Sequence, residues 1–188
     1  MKRQAYGALR KSQRGSAAVE FALVAPLFFA LVFSILEAGW FYFVNSAVEH
    51  ANATAARLIR TGQAQNTKDA NGNPVYSKEA FYNEICRVVS NFGKCEDALT
   101  VDVSRFASFD ALAADLTDPV CRNADDPTIH GAQFDASDYG AQNEIIRVRV
   151  CLLYKPVNPA LGIKMKTNKH GFKEIVAMSI FRNEPFET

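Results

Sequence analysis

The sequence contains no glycine-rich phosphate loop, no G-x-S-x-G elbow and no H-E-x-x-H pair. The common signatures of phosphate binding, acyl transfer and zinc peptidases are therefore missing. Its cysteines never fall as a C-x-x-C pair, which leaves no close ligand pair for zinc. The three histidines, His50, His130 and His170, are scattered. Asp125, Asp126, Asp135 and Asp138 make one stretch acidic, and a solvated face accounts for them. Asp69, Asn71 and Asn73 resemble a calcium loop only in part, because the glycine is misplaced and no terminal glutamate follows. We expect no enzyme activity, no metal and no cofactor.

Two further absences say where the chain resides. Residues 1–15 include Lys2, Arg3, Arg10, Lys11 and Arg14 and no acid, a local charge of +5; the other 173 residues hold 16 basic and 20 acidic side chains, a net of −4. From Phe21 to Leu36 there is no charge at all. Clustered basic residues can bind nucleic-acid phosphates. Placed directly before an apolar run, however, they set membrane orientation, with the positive end in the cytoplasm. The lipid bilayer is thus the expected partner, and nucleic acid is not. Apolar character continues past Glu37, and Ala17 to Val44 is 28 residues, about 42 Å of helix and enough to cross a bilayer. Trp40 and Tyr42 stand where interfacial aromatics belong, and Pro26 is a position for a local kink. Glu20 opens the apolar run and Glu37 interrupts it. A carboxylate in hydrocarbon costs about 2.5–3.5 kcal/mol, so each calls for a partner or a function. We expect Glu37 to reach the outer interface.

The string Arg14-Gly15-Ser16-Ala17-Ala18-Val19-Glu20-Phe21-Ala22-Leu23-Val24-Ala25-Pro26 resembles the start of TadE/TadG-type pseudopilins of the tight-adherence (Flp) pilus system. Glu37-Ala38-Gly39 and Ala51-Asn52-Ala53-Thr54-Ala55-Ala56-Arg57, closed by Gly62, extend the resemblance over roughly residues 14–62. It implies a minor pilin cut by a prepilin peptidase after Gly15, which would make Ser16 the first mature residue and Glu20 the fifth. Partners implied in the same way are other pilin-like subunits and the pilus assembly platform. Cleavage would leave an ammonium at Ser16, which the Glu20 carboxylate of a neighbouring helix can satisfy, fixing axial register. The plainer alternative is that Glu20 complements the helix dipole. A second reading of the whole chain is a single-pass periplasmic binding or adhesin module with an uncleaved anchor, and a third is a secreted enzyme.

The expected organisation is a basic leader (1–15), a transmembrane and emerging helix (16–62) and a periplasmic domain (63–188) behind an inner-membrane anchor. Ala47, Ala51, Ala55, Leu58 and Ile59 give the emerging helix an apolar stripe, and Gly62 ends it. Residues 63–76 read as a polar loop. Ser77 caps a second helix with Phe81, Ile85, Val88, Val89 and Phe92 on its buried face, closed by Gly93. Strands are expected at Leu99–Val103, Glu144–Tyr154 and Glu174–Phe181. Residues 104–143 read as a long irregular stretch with one helix near Phe109–Leu116, a length that often carries binding. The fold class is α+β, a helix packed on an antiparallel sheet. Four cysteines outside the cytoplasm suggest two disulfides in one of three pairings. Cys86–Cys95 and Cys121–Cys151 are preferred, and free buried thiols are the alternative.

Overall fold

The computed structural model describes residues 14–72, 75–122, 125–126, 128–156 and 167–186. The expected leader therefore lies largely outside the described residues, as do Asn73 and Pro74 of the expected polar loop. One helix, α1, runs unbroken from Arg14 to Arg60 and carries Pro26 inside it. Apolar side chains from Val19 to Leu36 are exposed on every side, whereas from Glu37 onward one face becomes buried. Val44, Val48, Ala51, Ala55, Ala56 and Ile59 form that face. The stripe is thus centred slightly away from the one expected, with Ala47 at its margin. Gly62, at φ +75°, ends the helix by donating to the Ile59 carbonyl at 3.0 Å. Only glycine suits this place, because a Cβ there would also lie 2.5 Å from the Phe186 ring.

What reads as a polar loop begins with a short helix, α2 (Gln63–Asn66). Helix α3 (Lys78–Val89) starts as expected, with the Ala80 amide donating to the Ser77 hydroxyl at 3.2 Å. It stops at Val89 rather than at Gly93, and Phe92 turns back through a bond from its amide to the Val89 carbonyl. A disulfide joins Cys86 to Cys95 just before α4 (Cys95–Ala98), drawing the turn against the helix.

The sheet has strand order β2-β1-β3-β4, with β1 at Leu99–Phe106, β2 at Ala132–Gln133, β3 at Ile145–Tyr154 and β4 at Lys173–Arg182. Strands β1, β3 and β4 are antiparallel, as expected, but β2 lies parallel to β1. The sheet is therefore mixed, a correction to the all-antiparallel reading. Alternation decides its two faces. Val101, Val148, Val150, Leu152, Ile175 and Ala177 are buried on the face toward α1, where Asn52 Nδ2 donates to Ser179 Oγ at 2.9 Å. Strand β4 runs alongside α1 in the same direction, from Lys173 near Glu37 to Glu184, whose amide donates to the Arg60 carbonyl at 2.9 Å.

The outer face explains the long irregular stretch. Arg147, Arg149 and Cys151 project from β3 on one side, and all three bind the strap at residues 115–121, which follows α5 (Phe109–Ala114). Arg147 Nη2 meets Asp115 Oδ2 at 2.7 Å. Arg149 Nη1 donates to the Thr117 carbonyl at 2.8 Å, and its Nε donates to Asp102 Oδ2 of β1 at 2.7 Å. A second disulfide links Cys121 to Cys151. The Thr117 hydroxyl and amide, with Arg147, hold the Asp115 carboxyl well below its ordinary range, at about 2. The strap's ion pair therefore keeps its charge until the pH falls toward 2. Past β2, a 3-10 turn at Ala136–Tyr139 is closed by a capping box of Asp135 and Asp138, and Asp126 accepts from the Thr128 amide and hydroxyl, so three of the four acids serve local structure.

Candidate functional site

The candidate site is the lower half of α1 and its junction with the domain. Gly15 and Ser16 lie in the backbone of the helix, which is already helical at Arg14. Glu20 therefore stands beyond the first turn of the uncut chain, where the macrodipole has faded. This weakens the dipole reading of Glu20 for the unprocessed protein. Its side chain is exposed. From Ala17 to Leu36 the helix offers 20 residues without an apolar-to-polar division. That is about 30 Å, the thickness of a bilayer's hydrocarbon core. A helix exposed and apolar all round matches lipid better than water. Among the described residues this is the one helix long and apolar enough to cross a membrane.

Glu37 has a partner within the protein. It is only 7% exposed, and the Tyr154 hydroxyl donates to its Oε1 at 2.9 Å. The Phe41 and Tyr154 rings lie 5.8 Å apart beside this bond. Burial, and then the neighbouring Glu37 carboxylate, push the Tyr154 phenol up, so it remains a donor throughout the physiological range. The end of β3 thus covers the carboxylate at the level where the apolar span stops. Hydrogen bonds to charged groups contribute about 1.5–3 kcal/mol. Tyr154→Phe is accordingly expected to lower domain stability by about that amount in detergent, read as the midpoint of thermal unfolding. A change below about 0.5 kcal/mol would show that the pair adds nothing net.

The site and the comparisons coincide. Residues 15–57 match the model of the TadE-like protein family. The TadE-like segment is 43 of the 188 residues; it begins at Gly15, includes Glu20 and Glu37, and ends three residues before α1 does. Everything from α2 onward lies outside it. No curated protein and no solved structure matches the chain. A TadE-like segment on an N-terminal apolar helix fits a membrane-anchored, pilin-like protein of the Tad system.

Of the residues singled out by sequence, the structure places Gly15, Ser16 and Glu20 on one helix and joins the four cysteines in the two preferred pairs. Sequence reasoning missed Tyr154, which lies 117 positions from Glu37; the only available signal was a carboxylate inside an apolar helix. It also missed an open groove of about 650 Å³ on the outer face. Leu112, Leu116, Pro119, Met178 and Ile180 line it, beside Arg147.

Proposed function

We propose that the chain is a minor pilin-type subunit acting in assembly of a tight-adherence (Flp) pilus. A prepilin peptidase cuts it after Gly15, the helix holds it in the inner membrane with its N-terminus cytoplasmic, and the disulfide-linked domain faces the periplasm. Its work is structural, through helix packing with other pilin-like subunits and the assembly platform, rather than catalytic. The observation that carries this reading is the TadE-like match over residues 15–57, falling on a helix whose lower half is apolar on every side. Charge supports the orientation, since all five basic residues of the first 15 precede the apolar run. The disulfides support an oxidising compartment for the domain.

Within this reading Glu20 receives the Ser16 ammonium of a neighbouring helix. Two charges that are costly alone at a membrane edge then compensate each other and set the axial stagger of the subunits.

Intact mass and N-terminal sequence, taken from the host with and without its prepilin peptidase, test the proposal. The expected result is a chain starting at Ser16 only when the peptidase is present. A start at Met1 in both strains would remove processing and the ammonium that Glu20 is assigned to meet. A start near Trp40 would remove the anchor as well.

A further inference from the structure

We propose that the base of the domain is itself a lipid-binding surface, seated in the outer headgroup layer with the Phe92 ring beside Trp40 and Phe43. The inference rests on reading α1 as a membrane anchor. It adds that lipid is a partner of the domain and not only of the helix.

The height of the seat follows from helix geometry. If Ala17–Leu36 fills the hydrocarbon core, Trp40 and Phe43 stand four and seven residues above its edge, about 6 and 10 Å. Headgroups add about 5–8 Å to each side of a core about 30 Å thick. The Trp40 backbone therefore falls within that layer and that of Phe43 about 2 Å or more above it, with helical side chains directed back toward the N-terminal end and so toward the layer. Phe92 comes from the far end of α3 and reaches the same level, its ring 5.9 Å from that of Trp40 and 5.7 Å from that of Phe43. The third side of the triangle, Trp40 to Phe43, is 5.7 Å. Despite these contacts Trp40 remains 46% exposed and Phe43 57% exposed, so the cluster presents apolar surface outward where water would be a poor neighbour. Tyr42, on another side of the helix, is 72% exposed and completes an aromatic ring around it. Trp40 and Tyr42 are favoured at a membrane edge because one end of each ring system is apolar and the other carries a polar group, and the Phe43 and Phe92 rings add apolar surface beside Trp40.

Continuity identifies the occupant. The patch runs without interruption into the apolar span, so the surface that covers one covers the other. The Glu37–Tyr154 pair, one turn below Trp40, places the end of β3 at the same height. Among the described residues at this level, exposed Lys94 and Lys155 are matched by exposed Glu96 and Asp97, and Lys173 is followed by exposed Glu174. A zwitterionic headgroup layer is sufficient.

Trp40 is the sole tryptophan, which makes depth measurable. The full chain is reconstituted in phosphatidylcholine vesicles carrying lipids brominated at defined chain positions. The native protein is compared with Trp40→Phe/Phe92→Trp and with Trp40→Phe/Asn91→Trp, since Asn91 is exposed and tolerates replacement. Near-ultraviolet circular dichroism and intact disulfides verify folding. Expected is quenching of all three indoles, at least twofold stronger from lipid brominated near the headgroup than from lipid brominated near the chain end, with weak quenching by aqueous iodide. Lipid quenching of Trp40 together with full iodide quenching of indoles at 91 and 92 would overturn the seat and leave the anchor standing. No lipid quenching at any position would overturn the anchor itself.

Discussion

Replacing Arg149 with alanine is expected to lower domain stability by about 3–5 kcal/mol, because it strands a buried carboxylate. The Asp102 side chain is only 11% exposed and that of Arg149 only 7%. Arg149 meets Asp102 Oδ2 through both Nε and Nη2, each at 2.7 Å, and also carries the Thr117 carbonyl. Removing the guanidinium therefore leaves one charge buried without its main partner and one strap carbonyl without its donor. Domains of this size are stable by about 5–15 kcal/mol, so the variant would be near unfolding. The double change Asp102→Leu/Arg149→Met separates the two contributions. Removing both charges with similar volume is commonly neutral or better, so it should recover most of the loss. Urea unfolding of the full chain in detergent, followed by near-ultraviolet circular dichroism, provides the measurement. A single variant within about 1 kcal/mol of the parent would mean that water reaches Asp102 and the ion pair is not desolvated.

Phe81→Ala is expected to cost a comparable amount, about 3–5 kcal/mol. The ring is fully buried and sits 5.6 Å from Phe134 and 5.3 Å from Tyr139, which are themselves 5.8 Å apart. These three rings close the core between α3, the segment after β2 and the 3-10 turn. Truncation leaves a cavity that two rigid neighbours cannot fill, and loses aromatic contacts worth about 0.5–1.5 kcal/mol per pair beyond area alone. Phe81→Leu, nearer in volume, should cost under about 1.5 kcal/mol. Equal losses for the two variants in the same unfolding experiment would contradict a cavity origin.

Periodic and local features were legible in the sequence. The alternation Ile146, Val148, Val150, Leu152 placed β3 and its inner face, the Ser77 cap placed α3, and the uncharged run placed the lower half of α1. The Gly15–Glu20 spacing and the small-residue string pointed to the family segment before any comparison. Features that depend on distant partners were not legible. Arg147 and Arg149 alternate with valines and so look like a solvent face, whereas they are covered by a strap that sequence leaves shapeless. Two residues of β2 carry no period, so nothing marks a parallel strand there. The partner of Glu37 was not legible either, because Tyr154 belongs to a strand distant in sequence. For the two arginines and Glu37 the physical origin is the same: a polar group acquires its role from what folds over it.

The anchoring helix is also the domain's own core helix, a single rod of 47 residues, about 70 Å long. No break in the helix separates its exposed apolar part from the part in the core. A pull on its lower end would load the seam with β4 in shear, since Val44, Val48, Ala51, Ala55 and Ile59 would have to slide together instead of peeling away singly. A turn of the helix where it enters the core would carry the domain through a similar angle, because close-packed interiors transmit displacement rather than absorb it. Whatever machinery grips the foot of this helix thereby acquires a handle on the whole head.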